Sequence, residues 1–214
     1  MVEDMRRAEA DTCYVYSRNH SDETYYGFRR VDEVGEDWYT DETYIVDYDH
    51  IYYEDASWTG YIARRIDGDK IISKKDYNRL KDMVESARVS IVESLKKRAK
   101  ERDRELQVGD YLLHYYVDHE EWCDSDNIQH VHHEVISACY KILEISEDRY
   151  RVVDLLGIDK NYFCYKAHDC ELIEDHEKEW VENALLIDEE QCSKAISAAL
   201  DVKDQVVEKI KKLM

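Results

Sequence analysis

The sequence contains no proline and only two phenylalanines among its 214 residues, and its six glycines stand apart from one another. Without clustered glycines the chain has no phosphate-cradling loop, and it has no Gly-x-Ser-x-Gly nucleophile motif. The six cysteines form no Cys-x-x-Cys pair, a spacing typical of reduced thiols inside a cell. No apolar run is long enough to span a membrane, and residues 1–7 lack the apolar stretch of a signal peptide. We therefore expect a cytoplasmic protein that is not an enzyme and needs no cofactor.

What the sequence has in excess is negative charge. It carries 50 acidic and 30 basic side chains, a formal net charge of −20 at pH 7. Such a field repels nucleic acid and anionic membranes, so direct binding to either is not expected. The 18 tyrosines point to contact surfaces, because tyrosine is the aromatic residue that tolerates a half-wet environment.

A helical pattern occurs twice, over residues 73–97 and 188–212, at an offset of 115 residues. Apolar residues recur at spacings of three and four, which aligns them along one stripe of each helix. The stripe residues are Tyr77, Leu80, Val84, Ala87, Ile91 and Leu95, then Cys192, Ala195, Ala199, Val202, Val206 and Ile210. Each helix is predicted to begin with a capping box, opened by Ser73 and by Asp188. The sequence thus predicts a tandem duplication, with units 1–104 and 105–214.

Tyrosine-rich, strand-like segments bounded by acidic turns precede each predicted helix. We match the stretch from Cys13 to Trp58 with the stretch from Cys139 to Trp180, which leaves residues 62–72 and 106–129 without counterparts. This pattern predicts an α+β fold in which a small antiparallel sheet or SH3-like barrel is followed by an amphipathic helix in each unit.

The most unusual segment runs from Trp38 to Trp58 and combines six carboxylates with several tyrosines and no Lys or Arg. Interpreted as one strand, it places Tyr44, Tyr48 and Tyr52 on one face and its aspartates on the other. A second acidic run occupies residues 169–180. The candidate partner-binding residues are Tyr44, Asp47, Tyr48, Asp49, Tyr52, Glu54, Asp55, Asp169, Glu171, Glu174 and Asp175.

Carboxylates spaced along a strand approach the charge density of a phosphate backbone, and tyrosine and tryptophan supply rigid anchors. We therefore expect an acidic binding protein that occupies the basic, nucleic-acid-binding surface of a larger partner, which we expect to be a nucleic-acid-handling enzyme. Such nucleic-acid mimicry is typical of small inhibitors that phages direct at host defences, including anti-CRISPR proteins, and a phage-encoded protein would act in the host cytoplasm.

Three alternatives remain open from the sequence. His130, His132 and Glu134 would share one strand face and could hold zinc in a metal-dependent enzyme, although a solvated strand face explains them without a metal. The repeat and the lack of catalytic motifs equally suit a structural or assembly component of a virion or complex. The third alternative is a protein that holds a nucleotide in tyrosine-lined clefts. It would need cations, and the simpler account of the available ones is that they pair with the acidic sheets: Arg64, Arg65, Lys74, Lys81 and Arg88.

Overall fold

The structure is a computed structural model that describes residues 9–20, 23–36, 38–47, 50–59, 69–123, 129–147, 149–157, 172–176 and 178–214. Within these ranges, the backbone but not the side chain is described for residues 20, 55–59, 115–123, 129–138, 172–176 and 178–180. Arg64, Arg65, Tyr48, Asp49, Asp169 and Glu171 lie outside the described residues.

Five strands of the first half form one antiparallel sheet, here called sheet A. They are β1 (Cys13–His20), β2 (Glu23–Val34), β3 (Trp38–Val46), β4 (Ile51–Thr59) and β5 (Lys70–Ile72). Their order across the sheet is β4-β3-β2-β1-β5, and every neighbouring pair is antiparallel. The first four strands therefore form a meander, and the short β5 returns to pair with β1.

The second half forms another antiparallel sheet, sheet B. Its strands are β6 (Tyr111–Cys123), β7 (Gln129–Ile145), β8 (Tyr150–Gly157), β9 (Leu172–His176) and β10 (Leu185–Ile187). Their order is β10-β6-β7-β8-β9, so this sheet repeats the connectivity of sheet A strand for strand. The predicted α+β class with two antiparallel sheets is confirmed, and closure into an SH3-like barrel stays a prediction.

The predicted matching of strands between the halves is wrong by one strand. Cys139 lies in β7, which corresponds to β2, whereas Cys13 lies in β1. The first strand of the second half is β6, which comes from the segment that we expected to lack a counterpart. Likewise, β5 and β10 are counterparts and lie at the same offset of 115 residues as the helices. Pairing partners define a strand's position in a sheet, and recurring Cys-Tyr dipeptides do not reveal those partners.

Two 25-residue helices follow the sheets, α1 (Lys74–Arg98) and α3 (Glu189–Leu213), while the short α2 spans Lys178–Asn183. Ser73 Oγ accepts a hydrogen bond from the backbone N of Asp76 at 3.1 Å. Asp188 Oδ1 accepts one from the backbone N of Gln191 at 2.7 Å, and Gln191 Oε1 accepts one from the backbone N of Asp188 at 3.0 Å. These hydrogen bonds confirm both predicted N-terminal caps. Each cap satisfies backbone donors that lack a partner inside the helix.

The predicted apolar stripes are also confirmed. Ten of the twelve stripe residues are buried, and the other two, Ala87 and Val202, are half-buried. In the first half the stripe packs on one face of sheet A, where the Phe28 ring meets Tyr77 edge-on at 5.7 Å between ring centroids. In the second half, the core beside sheet B contains Leu106, Leu112, Ile142, Tyr150, Val152, Val181 and Ala184.

The described contacts divide the chain into two compact units whose boundaries fall inside the long helices. One unit comprises residues 1–89 and 198–214, and the other comprises residues 90–197. Each unit therefore contains one sheet together with part of α1 and part of α3. Each sequence repeat encodes one sheet followed by one helix. Each compact unit, in contrast, contains one sheet and parts of both long helices.

Candidate functional site

The acidic stretch that begins at Trp38 forms a hairpin, not the single strand that we predicted. β3 ends at Val46 and β4 begins at Ile51, and the backbone N of Asp47 donates to the carbonyl oxygen of His50 at 3.0 Å. We predicted that Tyr44 and Tyr52 share one strand face. In the hairpin Tyr44 is instead paired with Tyr53, so these two residues share a face of the sheet. The segment lacks glycine and proline, the two residues that mark a turn most strongly, so this turn was not predicted.

Tyr44, a predicted partner-binding residue, lies in the core of the first unit. Its side chain is 2% exposed, and its ring stacks on Phe28 with 4.7 Å between centroids. The hydroxyl donates a hydrogen bond to Glu85 of α1 at 3.1 Å. Burial raises the pKa of this hydroxyl far above its ordinary value, and the Glu85 carboxylate adds to the rise. In this fold Tyr44 has no accessible ring surface to offer a partner.

Asp41 belongs to a buried ion-pair network on the face of sheet A opposite Phe28 and Tyr44. Arg29 donates through Nη1 to Asp41 at 3.2 Å and to the Tyr39 hydroxyl at 3.0 Å. Arg29 also donates to Asp69, which accepts a second hydrogen bond from Arg18. Two arginines thus neutralise two aspartates.

Aromatic rings surround the guanidinium of Arg29. Its central carbon lies 5.7 Å from the ring centroids of Tyr14 and Tyr16 and 5.8 Å from that of Tyr39. Burial lowers the pKa of Arg29, but Asp69, Tyr39 and Asp41 outweigh this effect and raise it above its ordinary value. The sequence held no distinct sign of this site, since Arg29 is followed directly by Arg30 in a strand that also carries Asp32 and Glu33.

Glu42, the neighbouring acid, faces α1. It accepts hydrogen bonds from Lys81 and from the Tyr77 hydroxyl, the latter at 2.6 Å, and Arg30 lies 3.9 Å away. Burial by itself would raise the pKa of Glu42, but the bonds from Lys81 and Tyr77 hold this pKa below its ordinary value. Lys81 thus pairs with a sheet carboxylate as predicted, whereas Lys74 pairs with Asp11, which precedes β1, and Arg88 pairs with Glu85 within α1.

The remaining described candidates in the first half lie on or beside β4, one of the two outermost strands of sheet A. Glu54 is exposed, Tyr52 and Asp47 are half-buried, and Asp55 is paired in register with Glu42. In the second half, Glu174 and Asp175 lie in β9, an outermost strand of sheet B. β4 and β9 are the fourth strands of their halves, so the two acidic candidate groups occupy equivalent strands.

The histidine cluster lies in β7. The backbone register pairs His132 with Glu120 and Glu134 with Asp118 of β6, while His130 is paired with Trp122. Among the side chains that the structure describes, no group of three or more histidine, cysteine or carboxylate residues is placed to hold a metal ion. The three cluster side chains are not among those described.

Two buried cysteines, Cys13 and Cys139, favour the thiol over the thiolate form. Cys13, Cys139 and Cys192 are buried free cysteines. Burial raises the pKa of Cys13, while a hydrogen bond with Cys192, followed by burial, raises that of Cys139. The thiolate is the reactive form, so neither of these two sites activates a nucleophile.

Two open cavities occur within the described part of the chain. A groove of about 770 Å³ in the first unit runs between α1 and α3 and is lined by Asp76, Arg79, Met83, Asp204, Gln205, Glu208, Lys209, Lys212 and Leu213. A second, of about 610 Å³, lies in the other unit beside residues 102–106. Both mix charges of either sign, an arrangement typical of a solvated surface.

Comparisons with known proteins give no relative from which a function could be inferred. No protein-family model, no curated protein and no solved structure matches this chain. Among the described residues, none of the helices combines the length and apolar character needed to cross a bilayer.

Proposed function

We propose that this chain is a non-enzymatic acidic binding protein that occupies a basic, nucleic-acid-binding surface of a larger protein partner. One observation carries the proposal: the acidic residues of the two halves, Glu54 and Asp55 in β4 and Glu174 and Asp175 in β9, lie on equivalent outermost strands. An outermost strand is the part of a sheet that a partner can reach along its length.

The distribution of the other carboxylates supports this proposal. Asp41, Glu42 and Asp69 are buried and paired with cations, so they add little to the external field. The net charge of −20 must therefore come mainly from surface residues, among them Glu54. On β4, Glu54 supplies an exposed carboxylate for the Lys and Arg side chains that normally bind phosphates.

We further propose that the two halves arose by tandem duplication of one sheet-and-helix unit. Matching strand order, helices of equal length and capping boxes at the same offset support this origin. A duplicated acidic strand gives one molecule two equivalent contact regions, which suits a partner with an extended nucleic-acid channel.

The first experiment uses the full chain against a panel of purified nucleic-acid-handling enzymes, including restriction nucleases and CRISPR effectors, with DNA or RNA as competitor. We expect binding at low salt, release at moderate salt and competition by the nucleic acid. A complex that survives high salt and ignores nucleic acid would contradict mimicry and favour an assembly role.

A charge-reversed pair identifies the surface. Glu54→Lys combined with Asp55→Lys should weaken the complex and flatten its salt dependence, because fewer ion contacts form. The matched control is Asp82→Lys with Glu93→Lys, which makes the same charge change at exposed positions of α1. Equal weakening by both pairs would show that net charge acts without a defined surface.

A further inference from the structure

The hairpin turn between β2 and β3 exposes a tryptophan. β2 ends at Val34, β3 begins at Trp38, and the backbone N of Gly35 donates to the carbonyl oxygen of Trp38 at 2.8 Å. The Trp38 side chain is 41% exposed. Burying an indole stabilises a fold several times more than burying a small side chain. The exposed part of the Trp38 ring does not contribute this stabilisation.

Gly35 makes room for this indole. A Cβ atom built on Gly35 would lie 2.1 Å from the indole nitrogen of Trp38, so only glycine lets the ring lie against the backbone at this point. The ring therefore lies against the backbone of the turn, and that backbone shields one part of the ring from water.

The charge around the indole is negative. Glu33 and Glu36 are both exposed, and within the described residues neither carboxylate has an ion pair. Glu33 is paired in register with Thr40, two residues beyond Trp38 in β3, so Glu33 and Trp38 share a face of the hairpin. Asp32 differs, because Arg30 neutralises it at 2.7 Å.

The indole also lies at the end of the acidic outermost strand, since Trp38 is paired with Thr59, the last residue of β4. We propose that Trp38 is the apolar anchor of the binding surface, and that it inserts into an apolar cleft ringed by Lys and Arg on the protein partner. This inference rests on the proposed function and adds the position and chemistry of the central contact. Buried tryptophans surrounded by polar contacts dominate the energetics of many interfaces.

The chain supplies a matched control for this anchor. Val34 is also 41% exposed, but it is paired with Tyr39, which places it on the opposite face of the hairpin from Trp38. Threonine is β-branched and suits a strand, so it can replace either residue there. Val34→Thr should therefore leave binding unchanged while Trp38→Thr weakens it.

The test uses two synthetic peptides of equal length and charge, one alternating Arg with Leu and the other alternating Arg with Ser. Their affinities for the full chain are measured at low salt by fluorescence anisotropy of labelled peptide. We expect the wild-type chain to bind the Arg-Leu peptide about tenfold more tightly. Trp38→Thr should lose this preference while retaining its affinity for the Arg-Ser peptide, and Val34→Thr should retain both.

A second readout does not depend on the folding of the threonine variant. The tryptophan emission of the wild-type chain should shift when the Arg-Leu peptide binds, because the indole leaves water. Trp38→Phe keeps an aromatic ring at the turn and should abolish that shift. A shift that persists in Trp38→Phe, or a peptide preference that persists in Trp38→Thr, would overturn the anchor.

The remaining outcomes separate the two proposals. Equal affinity of the wild-type chain for both peptides would overturn the anchor and leave the charge-based function standing. Failure of both peptides to bind at low salt would contradict the proposed function, and it would contradict the anchor as well.

Discussion

At the scale of single residues, the most consequential feature is how the acidic side chains divide between interior and surface. Asp41, Glu42 and Asp69 are all less than a tenth exposed, and each pairs with at least one cation. Glu54, which lies between Glu42 and Asp69 in the sequence, is exposed. Carboxylates that look alike in the sequence therefore have different roles. The buried ones need a cation, because an unpaired buried charge is costly, whereas the exposed ones are stabilised by water.

The buried network predicts a large effect of Arg29. Arg29→Met should lower the free energy of unfolding by about 3–5 kcal/mol, because Asp41 and Asp69 would both lose a buried guanidinium partner. Urea denaturation measures the change. Arg30→Met is the matched control, since the guanidinium of Arg30 is part-exposed and should cost no more than about 1 kcal/mol. Equal effects of the two substitutions would contradict the central role of Arg29.

Glu42 predicts a pH dependence. Its pKa is lower in the folded chain than its ordinary value of 4.5, so folding favours the ionised form. The resulting stabilisation is fully present above pH 4.5 and is lost as the pH falls through the folded pKa. Urea denaturation over a series of acidic pH values should show less of this loss in Glu42→Gln than in wild type. Identical pH profiles would show that Glu42 does not contribute.

At the scale of elements, the two long helices follow from local sequence. Their apolar stripes are set by the helical period, and their starts are set by side chains that bond to backbone three residues away. The structure places both N-termini within one residue of the predicted helix starts. The strands were harder to assign, because a strand's neighbours come from distant parts of the chain. The link between β3 and β4 also has no glycine or proline to mark it.

The caps provide a prediction for the helices. Ser73→Ala and Asp188→Ala should each lower the free energy of unfolding by about 1 kcal/mol, because the first turn of α1 or α3 loses a hydrogen-bond acceptor. Ser90→Ala, at an exposed position within α1, is the control and should be neutral or slightly stabilising. Chemical denaturation compares the three. An unchanged stability in the cap variants would mean that water replaces the caps at no cost.

At the scale of the whole molecule, the net charge of −20 is the dominant property. Like charges distributed over a folded chain repel one another, and salt screens that repulsion over about 10 Å at 0.1 M. The acidic strands β4 and β9 add a local concentration of this charge, which is the feature that the proposed function uses.

The charge predicts that salt stabilises the fold. The thermal unfolding midpoint should rise by a few degrees, equivalent to about 1 kcal/mol, between low and physiological salt. Calorimetry or circular dichroism measures it. The charge-reduced pair Asp82→Lys with Glu93→Lys should show a smaller rise, because it lowers the repulsion. A midpoint that falls with salt would mean that the screened ion pairs outweigh the repulsion.

The sequence alone determined the two capped helices, the tandem organisation and the acidic character, because these depend on residues a few positions apart or on composition. Tertiary structure decided which carboxylates remain available to a partner. Arg29 bonds to Asp69 across 40 residues, and Tyr44 bonds to Glu85 across 41. No local pattern encodes such long-range partners, so Tyr44 resembled a surface anchor in the sequence and lies in the core, while the exposure of Trp38 emerged only once Gly35 and the hairpin were in place.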